Sequence, residues 1–256
     1  MIRIRTPLTI VFLALLLWIA WQIVYLRTQK PLAYQGTPLS VWLQDYEFGK
    51  QSPGTDKALR AMGTHALPTL MRMLRAKDSP LRLRLLTLAQ KQHWVQFHHT
   101  PAETLHMRAV LAFHALGAKG KSVVPELIKM YKQAPADGPW APGAVLAGIG
   151  PDASAAIPAL LANVTNVNQG ARELSVAALG RIHAEPELVI PVLIKALADV
   201  SPVRYQAVIG LGLYGKVATN AGPALLDLIK NPTSNHRGNI ARALDEIGVP
   251  PEAVVA

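Results

Sequence analysis

Five prolines, at positions 68, 125, 158, 191 and 223, constrain what this chain can fold into more than any other feature. The last three intervals are 33, 33 and 32 residues, and the first is 57, longer by an insertion of about 24. Self-similarity at such a period marks a stack of supersecondary units rather than one mixed core. The segments around the prolines align: ALRAMGTHALPTLMRML from Ala58, LAFHALGAKGKSVVPELIKMY from Leu111, AVLAGIGPDASAAIPALLANV from Ala144, VAALGRIHAEPELVIPVLIKAL from Val176 and VIGLGLYGKVATNAGPALLDLI from Val208. A half-unit, NIARALDEIGVPPEAVVA, follows from Asn239.

Each unit has a stretch of small apolar residues, a Gly-containing break, then Pro and a Leu/Ile/Val-rich stretch. Gly at the break ends a first helix by taking positive φ. Pro belongs in the first turn of the second helix, where its missing N–H costs nothing. Ala115, Ala147, Gly148, Ala178 and Gly210 are small enough to let first helices approach closely. Leu225, Leu226 and Ile229 share one face after Pro223, a stripe that one helix pair cannot bury alone and a stack of pairs can. The expected fold is all-α: a right-handed α-solenoid of about five helical repeats.

A helix, a Gly break, then Pro and a Leu-rich helix at a 30–35-residue period resembles the HEAT-like repeats named after the phycobilisome lyases. The resemblance covers about residues 55–248. The segment Tyr34-Gln-Gly-Thr-Pro-Leu-Ser-Val-Trp-Leu43 and the inserted Lys91-Gln-His-Trp…Thr100-Pro-Ala-Glu103 stretch resemble parts of bacterial membrane-anchored HEAT-repeat proteins of unknown role. The resemblance implies a binding surface for another protein. Lyase-type members act on bilins, and no residue pattern here transfers that activity.

Residues 7–26, PLTIVFLALLLWIAWQIVYL, hold no charge. Twenty helical residues span about 30 Å, the thickness of a bilayer core. Trp18, Trp21 and Tyr25 sit toward one end, and Arg27 and Lys30 follow, as at a membrane interface. A cleaved signal peptide is the competing reading, but nothing near Ala20 resembles a small-x-small cleavage site. The expectation is one uncleaved N-terminal transmembrane helix in the inner (plasma) membrane. The short basic N-terminus favours N-in, C-out, with the repeats extracytoplasmic. The chain then divides into an anchor (1–30), a lead-in helix and linker (31–55) and the repeats (56–256), with the insertion near 79–103. Within it, Thr37 is expected to cap a helix ending near Phe48-Gly49, and residues 51–56 to form a turn-rich link. An extra helix is expected from Ser79-Pro80 to Gln92, then a loop from His93 to Pro101.

The net charge of +10 is unevenly placed. Residues 50–132 carry fourteen Lys/Arg against Asp56, Asp78, Glu103 and Glu126, whereas residues 133–256 carry eight against ten acids. Arg72, Arg75, Lys77, Arg82, Arg84 and Lys91 form the candidate interaction surface, for anionic lipid or an acidic protein patch. The run lacks the interleaved aromatics of a strand-binding groove, which argues against nucleic acid.

Nothing else converges on chemistry. The chain has no Cys, which excludes thiolate nucleophiles, disulfides and Cys-ligated zinc. His93, His98, His99 and His106 cluster in sequence, but adjacent side chains diverge and no HExxH pattern or acidic partner accompanies them. There is no GxSxG, SxxK or Walker loop. Gly148-Ile-Gly150 follows a helix rather than a strand, and Asp245-Glu246 point apart on a helix. The reading is a non-catalytic, membrane-anchored scaffold or adaptor that binds a protein partner and needs no metal or cofactor. The alternatives are a pigment-lyase-like or other enzyme accessory protein, and a nucleic-acid-binding HEAT-like protein.

Overall fold

A computed structural model of the chain describes residues 18, 21, 32–46, 52–79, 84, 100–134, 140–231 and 236–249. Trp18 and Trp21 are helical and exposed; the rest of the expected anchor lies outside the described residues, as does the insertion apart from Ser79, Arg84 and Thr100–Glu103.

The described residues are all-α save for one tiny hairpin. Strands β1 (Ala33–Tyr34) and β2 (Thr37–Pro38) pair antiparallel around Gln35 and Gly36, whose φ values are 50° and 77°. Both turn residues at positive φ is the twist-matched hairpin solution. Thr37 is therefore a strand residue, and the expected Thr37 cap is not formed: helix α1 (Leu39–Trp42) starts after Pro38 without a side-chain cap. A 3-10 turn, Leu43–Asp45, continues it. The 51–56 link is likewise partly helix, because α2 (Pro53–Met62) opens on Pro53, a residue suited to the first helical position.

Beyond this lead-in, helices come in pairs. Helix α2 is followed by α3 (Leu67–Leu74), α4 (Ala102–Leu116) by α5 (Val124–Gln133), and α6 (Ala141–Ile149) by α7 (Ile157–Leu161). Then α8 (Gln169–Ile182) precedes α9 (Pro186–Ala196), α10 (Ser201–Tyr214) precedes α11 (Gly222–Lys230), and α12 (Arg237–Ile247) stands last. The first helices α2, α4, α6, α8, α10 and α12 each pack on the next, and each second helix packs against the first helix that follows it. Phe113, Leu127, Leu146, Ile157, Leu179, Leu193, Leu211 and Leu225 are fully buried in one continuous apolar core.

The break between paired helices has one recurrent solution. Gly63, Gly117, Gly150 and Gly215 end first helices at φ 53–76° with ψ near −130 to −143°, a region closed to side chains with a Cβ. A 3-10 turn then delivers Pro68, Pro125, Pro158 or Pro223 to the second position of the second helix.

The fourth pair departs from the expected pattern. Gly180 is not its break but lies inside α8. A Cβ on Gly180 would stand 2.6 Å from the Gly210 Cα, so these two glycines let α8 and α10 cross backbone to backbone. The chain instead turns at His183 (φ 51°, ψ 45°) and Glu185 (φ 49°, ψ 57°), both left-handed. Helix α9 starts a turn early at Pro186, and Pro191 falls inside it. A second proline, Pro186, five residues upstream of the periodic one, occupies the first helical position instead.

Among the described residues one stretch, Ala141–Leu161, is long and apolar enough to cross a membrane, with mean hydropathy 1.5. Half of it is buried inside the protein, and Gly150 divides it into α6 and α7. It packs as the third helix pair.

Candidate functional site

The basic residues at the end of α3 and just beyond it form one part of a charged face. Arg72, Arg75 and Lys77 are all exposed. Arg75 reaches the Glu126 carboxylate of α5, tying the two second helices together. Arg84 is helical and exposed; Arg82 and Lys91 lie outside the described residues. The face continues onto α5 with Lys129 and Lys132, both exposed. Sequence reading missed these two, although the signal was present. They stand 57 residues after Arg72 and Arg75, the same interval that separates Pro68 from Pro125.

Of the clustered histidines, His93, His98 and His99 lie outside the described residues. His106 donates from Nε2 to the Ala76 carbonyl at 3.0 Å, just past the end of α3. Among the described residues no three His, Asp or Glu side chains are grouped as a metal would need.

The His106 contact is the first rung of a ladder. Positions 172, 204 and 237 are its repeat equivalents and hold arginine. Arg172 donates to the carbonyls of Asn166 (2.8 Å) and Val167 (3.2 Å). Arg204 donates to those of Leu197 (2.9 Å) and Asp199 (2.8 Å), and Arg237 to that of Ile229 (2.8 Å). Arg204 and Arg237 sit at the C-terminal ends of second helices, where the last carbonyls lack intrahelical partners and the dipole is negative, whereas Arg172 holds the loop that follows α7. Arg172 also grips Asp199 with two parallel bonds of 2.8 and 2.9 Å, which hold that carboxyl below the usual range. These residues are structural fasteners between successive pairs. A shallow cavity of about 220 Å³ beside them is lined by Val164, Val192, Lys195 and the Arg172–Asp199 pair.

The buried polar residues are likewise committed to structure. Tyr46 donates to Asp56 at 2.5 Å, clamping the lead-in to α2; burial and then this carboxylate push the phenol above its ordinary range. Thr55 donates to the Trp42 carbonyl at 3.0 Å. Ser175 gives its proton to the Ala171 carbonyl (2.6 Å) and accepts from Tyr131 (2.7 Å), so its oxygen has no base to activate it. Glu246 pairs with Arg242 one turn back at 3.2 Å rather than with Asp245.

Across the first helices runs an apolar row. Leu111, Ala144, Ala177 and Ile209 occupy equivalent positions on α4, α6, α8 and α10, 33, 33 and 32 residues apart, and each is half-buried. Leu213, one turn on, is 48 % exposed. Beside the row His114 lies over Gly148, where a Cβ would stand 2.6 Å from the imidazole Cδ2. No protein-family model matches the chain, and no curated protein matches it.

Proposed function

We propose that this protein is a membrane-anchored scaffold: a HEAT-like α-solenoid, held at the bilayer by residues 7–26, that binds another protein along its first helices. The apolar row Leu111–Ala144–Ala177–Ile209 carries this reading. A row repeated on four successive helices offers one linear surface, and stacked helical repeats use such surfaces for extended ligands. Leu213 supplies an exposed apolar anchor beside it, of the kind around which binding energy concentrates. Several polar side chains that could have served chemistry are engaged in structure: Tyr46 with Asp56, Ser175 with the Ala171 carbonyl, and Arg172 with Asp199. The Gly break and the second-position Pro favour a HEAT-like unit, and the uncharged segment ahead of the lead-in favours an anchor.

Affinity purification of the full chain from detergent-solubilised membranes tests the reading. The wild type is expected to retain a stoichiometric protein partner, and Leu213→Glu to lose it while keeping the wild-type circular dichroism spectrum and melting temperature. Recovery of no stoichiometric partner, or equal recovery with Leu213→Glu, overturns it.

A further inference from the structure

We infer that the second-helix face of the first two pairs docks on an anionic phospholipid bilayer, leaving the first-helix row free for the protein partner. The inference rests on reading residues 7–26 as an anchor. Arg72 from α3, Arg75 and Lys77 just past its end, and Lys129 and Lys132 from α5 are exposed. The Arg75–Glu126 contact shows that the two helices are neighbours on one face. The Glu126 carboxylate is engaged by Arg75, and Asp78 accepts from the Ala102 amide at 3.0 Å.

The chemistry of the face selects among anionic partners. Tyr131, the aromatic residue of α5, is buried, so α3 and α5 offer no ring on which a base could stack. Lysines are compact, strongly hydrated charges, depleted from protein–protein interfaces. They suit a diffuse layer of headgroup phosphates better than a single shaped partner. Position in the chain points the same way. In later pairs the residues equivalent to Arg72 and Arg75 are Ala162 and Thr165, Lys195 and Ala198, and Asp227 and Lys230. Doubled cations are thus confined to the two pairs nearest the apolar segment. Tethering by that segment makes docking an intramolecular step, for which modest attraction per cation suffices.

The absence of native cysteine allows one label per molecule. The full chain carrying Gln133→Cys on α5, or Asp245→Cys on α12 as control, is labelled with a fluorophore. It is reconstituted into vesicles containing quencher lipid, either of phosphatidylcholine alone or with about a third phosphatidylglycerol. Docking predicts flotation with both vesicle types. Quenching at position 133 should rise with phosphatidylglycerol and disappear at raised salt, with no rise at position 245. Lys129→Gln with Lys132→Gln should weaken docking about thirtyfold, the equivalent of about 1 kcal/mol per cation. Equal quenching at 133 in the two vesicle types, or an equal rise at both positions, overturns the inference. Salt-sensitive retention on duplex DNA that the double variant loses, with quenching unaltered, also overturns it. If the chain fails to float with neutral vesicles, the anchor reading falls. Docking is then read from anionic vesicles alone, where salt-sensitive flotation supports it and no flotation overturns it.

Discussion

At Gly150 the backbone turns at φ 76°, and nothing lies within 4 Å of where a Cβ would stand. Gly150→Ala is therefore expected to cost about 1–3 kcal/mol from backbone strain alone. Gly180 presents the opposite case. Its φ is ordinary, but an added methyl meets the Gly210 backbone. Gly180→Ala should cost about as much by pushing α8 and α10 apart, and it alone should loosen amide protection in α10. Urea denaturation and hydrogen exchange separate the two mechanisms. His114 supplies a pH dependence. Burial, and then the Arg181 charge, lower its pKa from 6.5 against a hydrogen bond to the Ala144 carbonyl. Above pH 6.5 both folded and unfolded chains carry it neutral. As pH falls below 6.5 the unfolded chain binds a proton that the folded chain resists, so stability falls until the lower folded pKa is reached. Melting temperatures between roughly pH 7.5 and 5 should show this decline, and His114→Asn should flatten it.

The elements obey the same local rules with different outcomes. Pro158 and Pro223 occupy second helical positions, where no N–H is required. Pro158→Ala and Pro223→Ala should change stability by less than about 1 kcal/mol, through the unfolded chain. Pro191 is interior to α9 and withholds the bond that the Glu187 carbonyl would accept. Pro191→Ala is expected to stabilise by about 1–3 kcal/mol, read from the urea midpoint. The arginine ladder acts between elements. Arg204→Met leaves the Leu197 and Asp199 carbonyls without their donor, and should cost about 1–2 kcal/mol in the same measurement.

On the scale of the whole molecule, stability is passed from neighbour to neighbour, because each first helix packs chiefly on the one before and the one after. Such a stack needs its ends covered. Leu39, Leu43 and Tyr46 of the lead-in are 3 %, 2 % and 2 % exposed, against the α2 end. The last helix, α12, instead exposes Arg242 and Asp245, while Glu246 reaches back over Gly212 of α10. Leu43→Ala should cost about 2–5 kcal/mol. Its effect should be polar along the stack, with amide exchange accelerating in α2 and α3 before α10 and α12. Uniform acceleration across all helices would show that the lead-in is not a local cap.

The sequence by itself determined the all-α class, the phase of the helix pairs and the place of four of five breaks. Those features depend on local requirements, positive φ at Gly and a missing N–H at Pro, that act before any long-range contact forms. Tertiary structure decided the remainder. Gly180 reads as a break until Gly210 is seen against it, and His183 takes the break's position because Gly180 is needed in the crossing. The basic cluster was legible as a run from Arg72 to Lys91. That Lys129 and Lys132 share a face with Arg72 and Arg75 required the Arg75–Glu126 contact. Residues 57 apart become neighbours only when one helix pair stacks on the next, a juxtaposition that depends on packing geometry and not on local conformation.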